Sequence, residues 1–123
     1  MQRAAAAWNV RPVKLPLQYR VDWAIIKNGH LAGWVECKKR NVPRRQYATL
    51  LLSLNKVLHG LQLSQTTGLP FILLVEWSDC IGWQKITAVE GLSIGGRIDR
   101  DDWQDVEPVC HFPTEGFNLL RNG

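Results

Sequence analysis

Glu36 and Lys38 are separated by one residue within the string Trp34-Val35-Glu36-Cys37-Lys38. On an extended strand, rising roughly 3.3 Å per residue, such a pair leaves the same face about 6 to 7 Å apart, and Val35 and Cys37 turn inward on the other face. Two charged groups on one face of an otherwise apolar strand are costly unless they are paired or bound to a metal. That cost suggests a use, and a third charged group, Asp22, lies on the segment before them.

The elements that must position these groups are legible as periodicities. Residues 19–27, rich in Val, Ile and aromatics, read as a strand, Asn28-Gly29 is a strong hairpin signal, and residues 31–39 read as the returning strand. Whether Asp22 joins Glu36 on one face depends on register, because each one-residue shift reverses the face. A two-residue Asn28-Gly29 turn pairs Asp22 with Val35 and sets Glu36 on the opposite face. A three-residue Lys27-Asn28-Gly29 loop, with Gly29 left-handed, pairs Asp22 with Trp34 and aligns it with Glu36. A chemical role for all three groups therefore requires the three-residue loop, or a bend or bulge of equal effect.

A short helix is expected over residues 2–8. After Val42-Pro43, the spacing of Tyr47, Leu50, Leu51, Leu54, Leu58 and Leu61 predicts an amphipathic helix over residues 44–65. Residues 71–77 form a nearly unbroken apolar run, the pattern of a strand covered on both faces, and residues 82–89 are expected to pair with it. Beyond Gly91 the pattern weakens into an irregular acidic segment, about 91–123, with residues 109–113 as a short edge piece. The order helix, strand, strand, helix, strand, strand predicts an α/β fold around one mixed sheet.

With 123 residues, 46% apolar and 21% charged, the chain is sized for one domain, residues 1–123, and has the composition of a folded one. No apolar run approaches the roughly 20 residues that cross a bilayer. The alanine run at 4–7 is not extended into a signal-peptide core, so a cytoplasmic protein is expected. Cys37, Cys80 and Cys110 lie far apart without a CxxC pair and are read as small buried hydrophobes. A net charge of +4 suits a polyanionic partner, and Lys38, Lys39, Arg40, Arg44 and Arg45 fall within eight residues beside the charged strand.

The strings Val21-Asp22-Trp23-Ala24-Ile25-Ile26 and Trp34-Val35-Glu36-Cys37-Lys38 resemble the Asp then Glu-x-Lys core of PD-(D/E)xK nucleases. More closely, Lys14-Leu15-Pro16, Glu36-Cys37-Lys38-Lys39-Arg40-Asn41, Gly95-Gly96-Arg97 and Asp105-Val106-Glu107-Pro108 are similar to small stand-alone nuclease-like proteins of phage and bacterial genomes. The resemblance implies a restriction-endonuclease-like core, a mixed four-stranded sheet flanked by helices, in a protein of a bacterial or phage-infected cell. It implies hydrolysis of DNA phosphodiesters with Mg²⁺ or Mn²⁺ held by Asp22 and Glu36, hard cations preferring oxygen ligands, and the backbone carbonyl of Cys37 as a further ligand. Lys38 then positions the water or neutralises the transition state. Many members carry another carboxylate on the first helix, whereas this chain has only Gln2 near that place. Either two carboxylates suffice, or the chain begins inside the natural protein.

Other readings stand beside this one. Gln46, at the start of the expected helix, is either a polar site residue or a capping or solvated one. Lys39, Arg40, Arg44 and Arg45 are either a phosphate-tracking ridge or a solvated helix start. His30, His59 and His111 show no metal-ligand spacing. The acids from Asp99 to Glu107 lack the ligand spacing of an EF-hand and read as a solvated loop. Trp23, Trp34, Trp77 and Trp83 are expected to pack, whereas Trp8 and Trp103 could serve an interface. A homodimer suits an enzyme that cuts two strands. The competing functions are a catalytically degenerate module that only binds nucleic acid, and a ribonuclease using the same chemistry.

Overall fold

The computed structural model describes residues 1–95 and 107–120. At its centre is β3 (His30–Lys39), paired antiparallel with β2 (Trp23–Lys27) on one edge and parallel with β5 (Phe71–Glu76) on the other. β6 (Ile81–Lys85) follows β5, and the short β1 (Arg11–Lys14) and β9 (Asn118–Leu119) close the order β1-β2-β3-β5-β6-β9. The expected four-stranded sheet is thus the middle of a six-stranded one. Its two outer strands escaped the sequence reading because both are very short and β1 contains Pro12, tolerated in a sheet only where no ladder bond is needed from that nitrogen.

The two faces of the sheet carry two cores. Ala24, Trp34, Phe71, Leu73 and Val75 meet α2 (Leu54–Thr67) through Val57. Ile25, Val35, Ile72 and Leu74 meet α1 (Gln2–Trp8) through Ala4. The alternation along β3 and β5 follows from the two-residue period of a strand, and both faces are covered over the middle of β3, where Gly33 to Glu36 are all buried while His30, Leu31 and Lys39 at its ends are exposed. Trp34 Nε1 donates to Thr67 Oγ1 at 3.0 Å, and Trp8 packs edge-on against Trp83, so each helix is tied to the sheet through tryptophan. Helix α1 matches its expected span: alanine favours helix and Asn9 closes it in the left-handed conformation at φ 55°.

The helix expected over residues 44–65 is corrected. Residues Arg44–Gln46 form one 3₁₀ turn, β4 (Thr49–Ser53) follows, and α2 begins only at Leu54. Three consecutive leucines satisfy a strand period as well as a helical one. β8 (Glu107–Pro113) settles the matter by pairing antiparallel along all of β4, so that Leu50 and Leu52 are buried while Leu51 is exposed. Ser53 then caps α2, accepting from the Lys56 amide. β7 (Ser93–Gly95) completes a second sheet, β4-β8-β7. The segment after Gly91, expected to be irregular, therefore contributes three strands among its described residues. The acids Asp99, Asp101, Asp102 and Asp105, the Gly95-Gly96-Arg97 string beyond Gly95, and Trp103 lie outside the described residues.

Smaller corrections concern the strand ends. The strand expected over 19–27 begins at Trp23, after a 3₁₀ turn at Leu17–Tyr19 and a left-handed Arg20 at φ 59°. The strand expected over 82–89 ends at Lys85.

Helix α2 sits unusually close to the sheet at Gly60. A Cβ at that position would come within 2.2 Å of the Phe71 ring, so only glycine lets the two backbones approach this far.

Candidate active site

The turn between β2 and β3 is the two-residue one, with Lys27 opposite His30 and both Asn28 and Gly29 at positive φ. By itself that register would set Asp22 against Val35. A bulge corrects it: Ile26 faces Leu31 but Ile25 faces Gly33, so Ala32 is an extra residue and Trp23 ends opposite Val35. The next residue along each strand is Asp22 and Glu36. Of the alternatives left open by the sequence, the bulge is the one realised.

The ladder between β2 and β3 stops at Trp23 and Val35, because the chain before Trp23 bends away. Asp22, in that bend, sends its carboxylate to the gap: Oδ2 accepts from the Cys37 amide at 2.9 Å. Its other oxygen, Oδ1, lies 3.5 Å from Lys14 Nζ, an exposed contact of small worth, and Lys14 also lies over the Trp23 ring. In an extended strand the N–H and C=O of one residue leave the same edge, so the Cys37 carbonyl emerges on the side where Asp22 waits.

Glu36 is 1% exposed, in a parallel pairing that sets it level with Leu73, on the face covered by α2. Its Oε1 lies 3.1 Å from Lys56 Nζ, yet the contact lacks the direction of a good hydrogen bond and that oxygen is otherwise unsatisfied. Burial raises the Glu36 pKa above its ordinary 4.5, and the charge of Asp22 raises it further, against the opposing pull of Lys56 and Lys38. Lys38, half-buried, is held below the usual lysine range by burial and then by Lys56 and Arg40, while Glu36 and Asp22 pull it up. The two carboxylates and the two ammonium groups thus form one coupled electrostatic cluster. Cys37 points to the α1 face, and burial pushes its thiol up to about 11, leaving it protonated at neutral pH.

Lys56 was missed by the sequence reading. A helix starting at Arg44 buries any meaning of position 56, whereas a helix starting at Leu54 puts a lysine in its first turn, where the macrodipole disfavours a cation. That misfit is the signal that could have found it.

The other expected site residues are dispersed. Gln46 is exposed on the 3₁₀ turn and not at a helix start. Lys39 and Arg45 are exposed. Arg40 and Arg44 are engaged with the scaffold, Arg40 donating to Lys39 O and Leu51 O at 3.2 Å and Arg44 to Thr114 O at 2.9 Å. His111 is held between the hydroxyls of Thr49 and Ser93.

The donor set fits a hard divalent cation. Two carboxylates lie close enough to disturb each other, one of them buried with an unsatisfied oxygen, and a backbone carbonyl emerges beside the second. No cluster of three His, Cys, Asp or Glu side chains that could hold a metal occurs among the described residues. Magnesium, however, usually needs only one or two carboxylates because it keeps several waters.

Residues 1–120 match the model of a protein family described as "Phage putative PDDEXK endonuclease". No curated protein matches the chain. Among the described residues no helix is long and apolar enough to cross a membrane.

Proposed function

Because the chain belongs to the phage PDDEXK endonuclease family, we propose that it hydrolyses DNA phosphodiester bonds, with Mg²⁺ or Mn²⁺ as cofactor and Asp22, Glu36 and Lys38 at its reaction centre. The observation that carries this reading is the bulge at Ala32, which brings Asp22 to the Glu36–Cys37 backbone when the hairpin turn alone would have turned it away.

Asp22, Glu36 and the Cys37 carbonyl are the groups that would hold the cation. The chemistry such a cation supplies when bound is activation of water and neutralisation of charge on the phosphate. Lys38, two residues along the strand from Glu36, offers an ammonium to a phosphate oxygen, where a donor fixed in advance is worth most as charge develops. Lys56 acts through Glu36 as a positioning residue, holding the carboxylate against the sheet. Lys39, Arg45 and Gln46 are exposed, and in this reading they contact phosphates that flank the cleaved one.

A second reading, a chain that binds nucleic acid without cutting it, is favoured by one contact: the Lys56 ammonium stands on the Glu36 oxygen that a metal would use. Supercoiled plasmid, single-stranded DNA and RNA incubated with Mn²⁺ or with chelator decide between them. The expected result is metal-dependent DNA cleavage, abolished in Glu36→Ala with DNA binding kept. Binding without cleavage in Mn²⁺ supports the second reading, and wild-type turnover in Glu36→Ala ends the assignment of the site.

A further inference from the structure

A cavity of about 430 Å³ opens just past the C-terminal end of β3, between the 40–47 loop and the second sheet. Its volume is in the range of small-molecule sites. Arg40, Arg44, the exposed Tyr47, the buried Leu50 and Trp77, and His111 are among the residues that line it. Among the described residues no acidic one lines it; the carboxylate of Asp79 accepts from the Arg44 backbone amide and is not part of the lining. Tyr47 is 63% exposed, an aromatic ring that packing does not explain.

The backbone of β3 stays paired with β5 as far as the Arg40 amide, which donates to Glu76 O at 2.8 Å. Arg40 therefore follows Lys38 on the same face, roughly 7 Å further along the strand. Its guanidinium is fixed on two carbonyls, which use two of its five N–H donors and orient the rest. A cation fixed in orientation, an exposed ring and a largely apolar floor, without an acid among the described lining residues, are the parts of a site for one unpaired nucleotide: phosphate on the arginines, base on the ring.

We propose that this cavity holds a single unpaired nucleotide of the DNA strand, one step along the backbone from the phosphate at Lys38, with its base stacked on Tyr47. The proposal rests on the nuclease reading above and makes the preferred substrate a strand with a locally unpaired base. A base inside a regular duplex cannot reach the ring without leaving its stack.

The test is fluorescence anisotropy of the full chain with a short labelled oligo(dT), and with a duplex of the same length, in chelator so that nothing is cut. Tyr47→Ala should weaken oligo(dT) binding about tenfold while Tyr47→Phe stays near wild type, because stacking and not the hydroxyl is at stake. The duplex should change little. Arg40→Gln should reduce the salt slope of oligo(dT) binding by about 0.7, the share of one phosphate on a single strand. The proposal is overturned by unchanged binding in Tyr47→Ala, by an equal loss in Tyr47→Phe, by an equal loss on the duplex, or by an unchanged salt slope. Plasmid cleavage by the wild-type chain is read separately, so an empty cavity and a failed nuclease are different results.

Discussion

The ammonium of Lys56 lies 3.1 Å from Oε1 of Glu36, joining the first turn of α2 to the middle of β3. The lysine side chain is about half exposed and the glutamate is buried, so the pair is unequal: the lysine can return to water and the carboxylate cannot. Most of the chemistry expected of this site follows from that inequality.

Glu36→Gln should make the metal-free protein more stable near neutral pH. Burial, then Asp22, raises the folded-state pKa above 4.5. The favourable contribution of the native carboxyl is therefore full below 4.5 and is lost as pH rises through the raised value. Urea denaturation in chelator across this range should show the two proteins diverging as pH increases, the variant above. A variant less stable than wild type at neutral pH would mean that the buried carboxylate is well satisfied.

Removing the other partner should act in the opposite direction. Lys56→Ala takes away a charge that offsets the burial of the Glu36 carboxylate, at a cost of about 1 to 3 kcal/mol above the pH at which Glu36 ionises, below that of a fully buried pair because Lys56 is half exposed. The loss should shrink at low pH, where Glu36 is protonated, and disappear when Glu36→Gln is added. Equal losses at both ends of the pH range would reduce Lys56 to ordinary helix packing.

Asp22→Asn keeps an oxygen for the Cys37 amide and removes the charge. The fold should survive, with thermal stability near that of wild type in chelator, while the stabilisation that Mn²⁺ confers on the wild-type protein is lost. Any ligand that binds the native state alone raises stability by mass action, so the melting shift reads metal binding without needing turnover. An undiminished Mn²⁺ shift in this variant would remove Asp22 from the metal site.

Gly60→Ala tests how α2 is seated. Alanine is the better helix former, yet its Cβ would collide with the Phe71 ring at 2.2 Å. Overpacking of this kind costs about 1 to 3 kcal/mol, so the melting temperature should fall. Because Lys56 lies one turn before Gly60 on the same face, a helix pushed outward should also loosen the contact with Glu36. A variant as stable as wild type would show that the Phe71 ring yields freely.

Much of the site was legible in the residues themselves. The alternation around Glu36 and Lys38, the Asn28-Gly29 turn, the apolar run of β5 and the alanines of α1 are local patterns, and local propensity and side-chain period are enough to read them. Even the need for a correction in the hairpin could be stated, because a strand has only two faces and an odd shift exchanges them.

What tertiary structure decided is of another kind. Leucines 50 to 52 suit a helix or a strand equally, and only β8, nearly sixty residues later in the chain, made them a strand. The start of α2 followed from that pairing, and with it the arrival of Lys56 at Glu36. The bulge at Ala32 likewise answers to packing on both faces of the sheet and not to anything the hairpin turn requires. Sequence determined which residues could do chemistry, since charge and spacing are properties of the chain; which of them meet was decided by partners distant along it, whose contribution no local period encodes.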